Sequence, residues 1–191
     1  MSEYPVSLVI FGASGDLTER KLIPALYNLY QKDRLPEIRI LGTSRSPYTN
    51  ESFREHLLEG IRRFSPESYQ SSTWEEFSSK VYYRSGDLTN QDDFQELGTT
   101  LSGLEDGPAH RLYYLAISPE FYHQAILNLG KSGLATQETG WDAPWRHVVI
   151  EKPYGRDLKT AQELNNIVHR VFSEDQVYRI DHYLGKETAQ N

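Results

Sequence analysis

Gly12-Ala-Ser-Gly15-Asp-Leu-Thr18 stands directly after the apolar run Val6-Ser-Leu-Val-Ile-Phe11 and opens a helical pattern. Glycines at such a turn let backbone N–H groups approach a diphosphate, and the positive end of the helix dipole favours the anion. The spacing is G-x-x-G, short of the full G-x-G-x-x-G fingerprint, so a tight strand–helix turn with no ligand also accounts for it. Asp16 and Leu17, not Lys and Ser/Thr, directly follow Gly15, which disfavours a P-loop.

Gly42-Thr43-Ser44-Arg45 ends a second apolar run, Ile38-Arg-Ile-Leu41. In dinucleotide-binding folds an acid at this position binds the ribose 2′-OH of NAD, whereas an arginine accommodates the 2′-phosphate of NADP. No carboxylate follows until Glu51. Ser44 offers a hydroxyl and Arg45 a planar cation able to stack on adenine, which predicts NADP; a solvated surface arginine is the alternative. Glu151-Lys-Pro-Tyr-Gly155 follows another apolar run and aims Lys152 at the mouth of a cleft, toward a sugar hydroxyl, a phosphate or the nicotinamide side of the cofactor. Pro153 is a candidate for a cis peptide bond. The alternative is a surface Glu–Lys pair, which contributes little.

Arg179-Ile-Asp181-His182-Tyr183-Leu-Gly185-Lys186-Glu187 is the richest cluster. In a helix, His182 and Lys186 share a face and repel when both are charged. A dianionic phosphate turns that repulsion into a clamp, with Tyr183 adding a hydroxyl, and Asp181 can orient an imidazole. A neutral His182, with Asp181 and Glu187 balancing Lys186, is the alternative. His56, His110, His123, His147 and His169 have no metal-ligand spacing and read as structural or exposed.

These groups need a scaffold that brings strand ends together. A helix over Asp16 to Lys32 has Leu22, Leu26, Leu29 and Tyr30 on one face, with a break expected at Pro24. Asn50 is placed to cap a helix carrying Phe53, Leu57, Ile61 and Phe64. A short helix around Trp74 and Phe77 and a strand Lys80-Val-Tyr-Tyr-Arg84 follow. Next come a helix on Phe94, Leu97, Leu101 and Leu104, and a strand over Arg111 to Ile117. Ser118-Pro119 starts a helix burying Ala125, Ile126 and Leu129, and residues 134–146 read as a surface loop. His147-Val-Val-Ile150, a helix capped by Asp157, and Gln176-Val-Tyr-Arg-Ile180 close the series. Strand–helix alternation throughout predicts an α/β fold: a Rossmann-type, doubly wound, mainly parallel sheet with helices on both faces. Ligands on such sheets sit at the strands' carboxyl ends. The loops Gly12 to Asp16, Thr43 to Arg45, Gly86 to Leu88, Ser118 to Tyr122, Glu151 to Gly155 and Asp181 to Lys186 are therefore expected at one crevice.

The 191 residues carry a net charge of −7, 38% hydrophobic residues and no cysteine. One globular domain over residues 1–191 is expected. The acidic balance argues against nonspecific nucleic-acid binding. No apolar run is long enough for a membrane span and no secretory signal is visible, so a cytoplasmic protein is expected. The absence of cysteine excludes a disulfide scaffold, thiolate zinc and cysteine nucleophiles.

Gly12-Ala-Ser-Gly-Asp-Leu-Thr18, Glu151-Lys-Pro-Tyr-Gly155 and Arg179 to Glu187 together resemble the amino-terminal, NADP-binding domain of the glucose-6-phosphate dehydrogenase family, from Val9 to Asn191. The resemblance implies oxidation of D-glucose 6-phosphate to 6-phosphoglucono-lactone with NADP, the first oxidative step of the pentose phosphate pathway. It assigns the cofactor to Gly12, Ala13, Ser14, Gly15, Asp16, Leu17, Thr18 and Glu19, to Ser44 and Arg45, to Asp87 and Leu88, to Tyr122 near the nicotinamide half, and to Lys152. Lys152 would also touch the sugar, while His182, Tyr183 and Lys186 would hold its 6-phosphate. Asp181 would orient the catalytic base, a histidine of a carboxyl-terminal α+β domain that also supplies the dimer interface of the full-length homo-oligomer. Family members exceed twice this length, so this chain is expected to be a truncation with no base of its own and essentially inactive alone. Two other readings compete: a sugar oxidoreductase of the glucose–fructose oxidoreductase type, and a nucleotide-binding module without chemistry.

Overall fold

A computed structural model of the chain describes residues 4–140 and 142–180. Six strands form a single sheet: β1 (Val6–Phe11), β2 (Ile38–Ser44), β3 (Val81–Ser85), β4 (His110–Leu115), β5 (Arg146–Glu151) and β6 (Val177–Ile180), in the order β3-β2-β1-β4-β5-β6. Every neighbouring pair is parallel. The strand order reverses between β1 and β4, the place where ligands of such sheets bind. All six residues of β1 are buried, as expected of a central parallel strand covered on both faces.

Helices α1 (Ile23–Gln31), α2 (Asn50–Phe64) and α3 (Ser71–Ser78) cover one face. They bury Tyr27, Phe53, Leu57 and Phe77 against Leu8, Ile10, Ile40 and Val81. Helices α4 (Gln91–Leu104), α5 (Tyr122–Lys131) and α6 (Leu158–Val168) cover the other, packing Phe94, Ile126, Leu129 and Val168 on Phe11, Tyr113, Leu115 and Ile150. The doubly wound α/β architecture is therefore present. Among the described residues, no helix is long and apolar enough to cross a membrane.

Several local expectations need correction. The break at Pro24 takes the form of a π-helical turn, Thr18–Leu22, in which the Ile23 N–H bonds to the Thr18 carbonyl five residues back. That extra residue rotates the buried face onto Ile23 and Tyr27 and leaves Leu29 37% exposed. Thr49, not Asn50, caps α2, through a reciprocal pair with Ser52. Asn50 Oδ1 instead accepts the Tyr83 N–H at 2.7 Å. Pro119 begins a 3₁₀ turn, Pro119–Phe121, ahead of α5. Residues 134–146 are not wholly a surface loop, because Leu134 and Ala135 are buried in the core. The Trp145 indole lies between the imidazoles of His110 and His147, at 4.5 and 4.3 Å, in keeping with structural histidines.

Candidate functional site

At the carboxyl end of β1 the chain reverses at Gly12, whose φ of +80° lies in the left-handed region. The N–H groups of Gly12 and Ala13 both donate to the Thr43 carbonyl, at 2.9 and 3.2 Å, and the Gly15 N–H donates back to Gly12 at 2.9 Å. A Cβ at Gly12 would lie 2.2 Å from the Ala116 carbonyl oxygen, so only glycine lets the turn pass the exit of β4. Gly12, Ser14 and Gly15 line a cavity of about 520 Å³ at this switch point, within the size range of small-molecule sites. The rest of the motif supports the turn. Ala13 is fully buried in the core, and Thr18 is buried with its hydroxyl donating to the Gly12 carbonyl at 3.4 Å. Asp16 faces solvent, paired with Arg20 at 3.3 Å, Leu17 is half-buried, and Glu19 anchors its N–H on the Gly15 carbonyl. None of these five is among the cavity's lining residues.

Ser44 and Arg45 line the same cavity, facing the glycine turn. Ser14 Oγ accepts hydrogen bonds from Ser44 Oγ at 2.8 Å and Ser46 Oγ at 3.0 Å. Asp87 and Leu88 close the wall beyond β3. Asp87 Oδ1 accepts the Thr89 N–H and hydroxyl, both at 2.8 Å. These bonds, with a lesser pull from Arg45, hold its carboxyl below the usual aspartate range. An ionised, already engaged carboxylate therefore stands near the arginine without replacing it as the feature of the β2 end. The Leu88 carbonyl accepts from Asn128 Nδ2 at 2.9 Å, tying this loop to α5.

Tyr122 does not reach the cavity. Its ring is 1% exposed, and its hydroxyl donates to the Glu151 carbonyl at 3.2 Å. Burial and the nearby Glu151 charge push the phenol up to about 12. Glu151 is itself buried and accepts a bond from the Tyr114 hydroxyl. Tyr114 is raised even further, by burial and by that bond to Glu151. Two phenols thus fix the end of β5 from which Lys152 leaves, exposed and followed by a cis bond to Pro153. A second cavity, of about 550 Å³, lies beside Pro153, His123 and Arg156 and shares Ser118 with the first. Lys152 is outside the lining of either. The last described residue, Ile180, pairs in register with Glu151. Asp181, His182, Tyr183 and Lys186 lie outside the described residues.

The cavity also uses residues that motif reading passed over. Ser46, Thr89, Ala116 and Ile117 line it, and Tyr83 stands behind Ser44 with its hydroxyl 2.7 Å from Ser44 Oγ. The available signals were the serine pair flanking Arg45 and the alternation of β3, which turns Tyr83 to the same face as Val81. The chemistry of the wall suits a dinucleotide: a glycine turn at a helix start for a diphosphate, hydroxyls for a ribose, and a guanidinium for a further anion.

Residues 9–191 match the family model described as glucose-6-phosphate dehydrogenase, NAD binding domain. The chain is 41% identical over 192 residues to the glucose-6-phosphate 1-dehydrogenase of Chlamydia muridarum, covering 98% of this chain and 38% of that protein. To that of Bacillus subtilis it is 42% identical over 188 residues, covering 96% and 36%. A solved glucose-6-phosphate dehydrogenase in complex with its substrate glucose-6-phosphate superposes with a TM-score of 0.85 at 33% identity, over 100% of this chain and 40% of that one. The chain thus spans well under half the length of these relatives.

Proposed function

The chain belongs to the glucose-6-phosphate dehydrogenase family, and from that premise we propose that it forms the cofactor half of an enzyme oxidising D-glucose 6-phosphate to its lactone with NADP. The observation that carries the cofactor choice is Arg45 in one cavity with the Gly12–Gly15 turn, at a β2 end whose own residues offer no carboxylate. In this reading the turn binds the diphosphate, and Ser14, Ser44 and Arg45 hold the 2′-phosphate, for which a planar cation is suited. The nicotinamide, when bound, supplies the acceptor for the hydride leaving sugar C1.

Lys152 serves the sugar side. The phenols of Tyr114 and Tyr122 brace the preceding Glu151 side chain and carbonyl, which favours a fixed point of departure for the lysine. His182, Tyr183 and Lys186 hold the 6-phosphate and Asp181 orients the base, roles that rest on the motif from Arg179 to Glu187. Two cationic groups facing a dianionic phosphate gain charge-assisted bonds that neutral sugars cannot offer.

Calorimetric titration of the 191-residue chain with NADP and with NAD tests the cofactor reading. NADP is expected to bind more tightly, and Arg45→Ala to remove most of that preference. The expected loss is about ten- to a hundredfold, the range for a hydrogen bond to a charged group. Equal affinities in the unmodified chain refute it.

A further inference from the structure

Tyr83 has no place among the residues that meet the nucleotide, yet its hydroxyl reaches both sides of Arg45. It lies 2.6 Å from the Ser46 carbonyl oxygen, 3.1 Å from the Ser44 carbonyl oxygen and 2.7 Å from Ser44 Oγ. The hydroxyl has one proton to give, which the nearest acceptor, the Ser46 carbonyl, takes, while Ser44 on the other side of Arg45 lies in contact with the same oxygen. The two serines in turn donate to Ser14 on the glycine turn, so the β2 end and the glycine turn are joined through hydroxyls. The ring itself is fixed independently. It packs on Phe53 at 4.6 Å and edge-on to Tyr48 at 5.5 Å, and its backbone N–H is taken by Asn50. Burial raises the phenol, so it remains a donor at neutral pH.

We propose that Tyr83 is a positioning residue for cofactor discrimination: its hydroxyl holds the Ser46 carbonyl and packs against Ser44, and so fixes the backbone that aims the Arg45 guanidinium at the 2′-phosphate. This rests on the NADP reading above. An exposed arginine on an unanchored loop spends side-chain and backbone entropy on each bond it makes, and a pre-set backbone lowers that cost. The advantage applies only to the ligand that carries the extra phosphate. Tyr83 is thus expected to act on NADP and not on NAD.

Tyr83→Phe removes one oxygen and leaves the ring packed. Calorimetry on the 191-residue chain is expected to show NADP weakened about tenfold, with NAD changed by less than about twofold and the urea midpoint lowered only modestly. In an Arg45→Ala background the same change should add less than about twofold to the NADP affinity, because the two residues act in series. Equal weakening of both nucleotides by Tyr83→Phe overturns the proposal, as does an undiminished effect without Arg45. A chain that prefers NADP and keeps its full preference in Tyr83→Phe refutes the role of Tyr83 alone. A chain with no preference at all removes both this proposal and the NADP reading.

Discussion

Gly12→Ala is the sharpest perturbation that the geometry allows. Two costs arise together. The backbone stands at φ +80°, where an L-residue loses about 1–2 kcal/mol relative to glycine. The new methyl would also lie 2.2 Å from the Ala116 oxygen and 2.9 Å from both the Ala116 carbonyl carbon and Ile117 Cγ2. Two of those three atoms are backbone, so no side-chain rotation relieves the clash, and the exit of β4 must move away from β1. Forcing extra volume into a packed site typically costs about 1–3 kcal/mol. The sum, about 2–5 kcal/mol, is a large part of the 5–15 kcal/mol that holds an ordinary domain together. With a urea slope of about 2–3 kcal/mol/M the midpoint should fall by about 0.7–2.5 M. NADP affinity should fall with it, because Ala116 and Ile117 line the same cavity as Gly12. Gly103→Ala is the control: it sits exposed in the last turn of α4, where a Cβ meets nothing within 4 Å. At a helix end it should change stability by no more than about 0.5 kcal/mol. Urea unfolding followed by circular dichroism compares the two, and a Gly12→Ala midpoint at or above that of the unmodified chain refutes the reasoning.

Glu105 and Arg111 form a two-toothed pair, with Arg111 Nη2 at 2.6 Å and Nε at 3.0 Å from the carboxylate oxygens. Their side chains are only 5% and 13% exposed. Glu105→Ala strands the guanidinium and should cost about 3–5 kcal/mol in urea unfolding, whereas Asp16→Ala, at a solvent-exposed pair, should stay within about 0.5 kcal/mol; comparable losses at the two sites would contradict this. At high pH the buried phenols dominate. Tyr113 and Tyr122 are pushed up to about 12 by burial, and Tyr114 is raised as well. An unfolded tyrosine ionises near pH 10 while these keep their protons in the fold. The stability they contribute is therefore complete below pH 10 and drains away toward pH 12. Phenolate absorbance should show a late fraction rising together with loss of circular dichroism; a single step near pH 10 in a chain still folded would be the contrary result.

The parts of the molecule legible in the sequence are those governed by local period and by the strand-end rule. Val6 to Phe11 and Val148 to Ile150 read as strands because parallel strands covered on both faces are continuously apolar. Reading the residues just past each strand then brought Gly12, Arg45 and Asp87 to one cavity. What escaped depends on how far a side chain reaches across elements. Asn50 and Thr49 are both good helix caps, and choosing between them requires knowing that a β3 N–H, 33 residues away, claims the Asn50 oxygen. The face of α1 was misplaced because one π-helical bond, at a proline that cannot donate its own, shifts the phase of everything after it.

Tyr83 and Tyr122 show the same limit from opposite directions. Both are buried aromatics close to the carboxyl edge of the sheet, and nothing in their neighbours along the chain separates them. The family resemblance places Tyr122 near the nicotinamide half of the cofactor, yet its hydroxyl turns to the Glu151 carbonyl behind Lys152. Tyr83 sits mid-strand in a stretch that read only as packing, yet its hydroxyl reaches the backbone around Arg45. For a phenol, the ring follows the hydrophobic pattern while the oxygen must find a partner once it is buried. The partner, and with it the functional consequence, is set by which strands the topology makes neighbours. Here the order β3-β2-β1-β4-β5 puts Tyr83 beside the arginine strand, while Tyr122, at the start of α5, reaches the end of the lysine strand, so each phenol stands behind the departure point of a different cation.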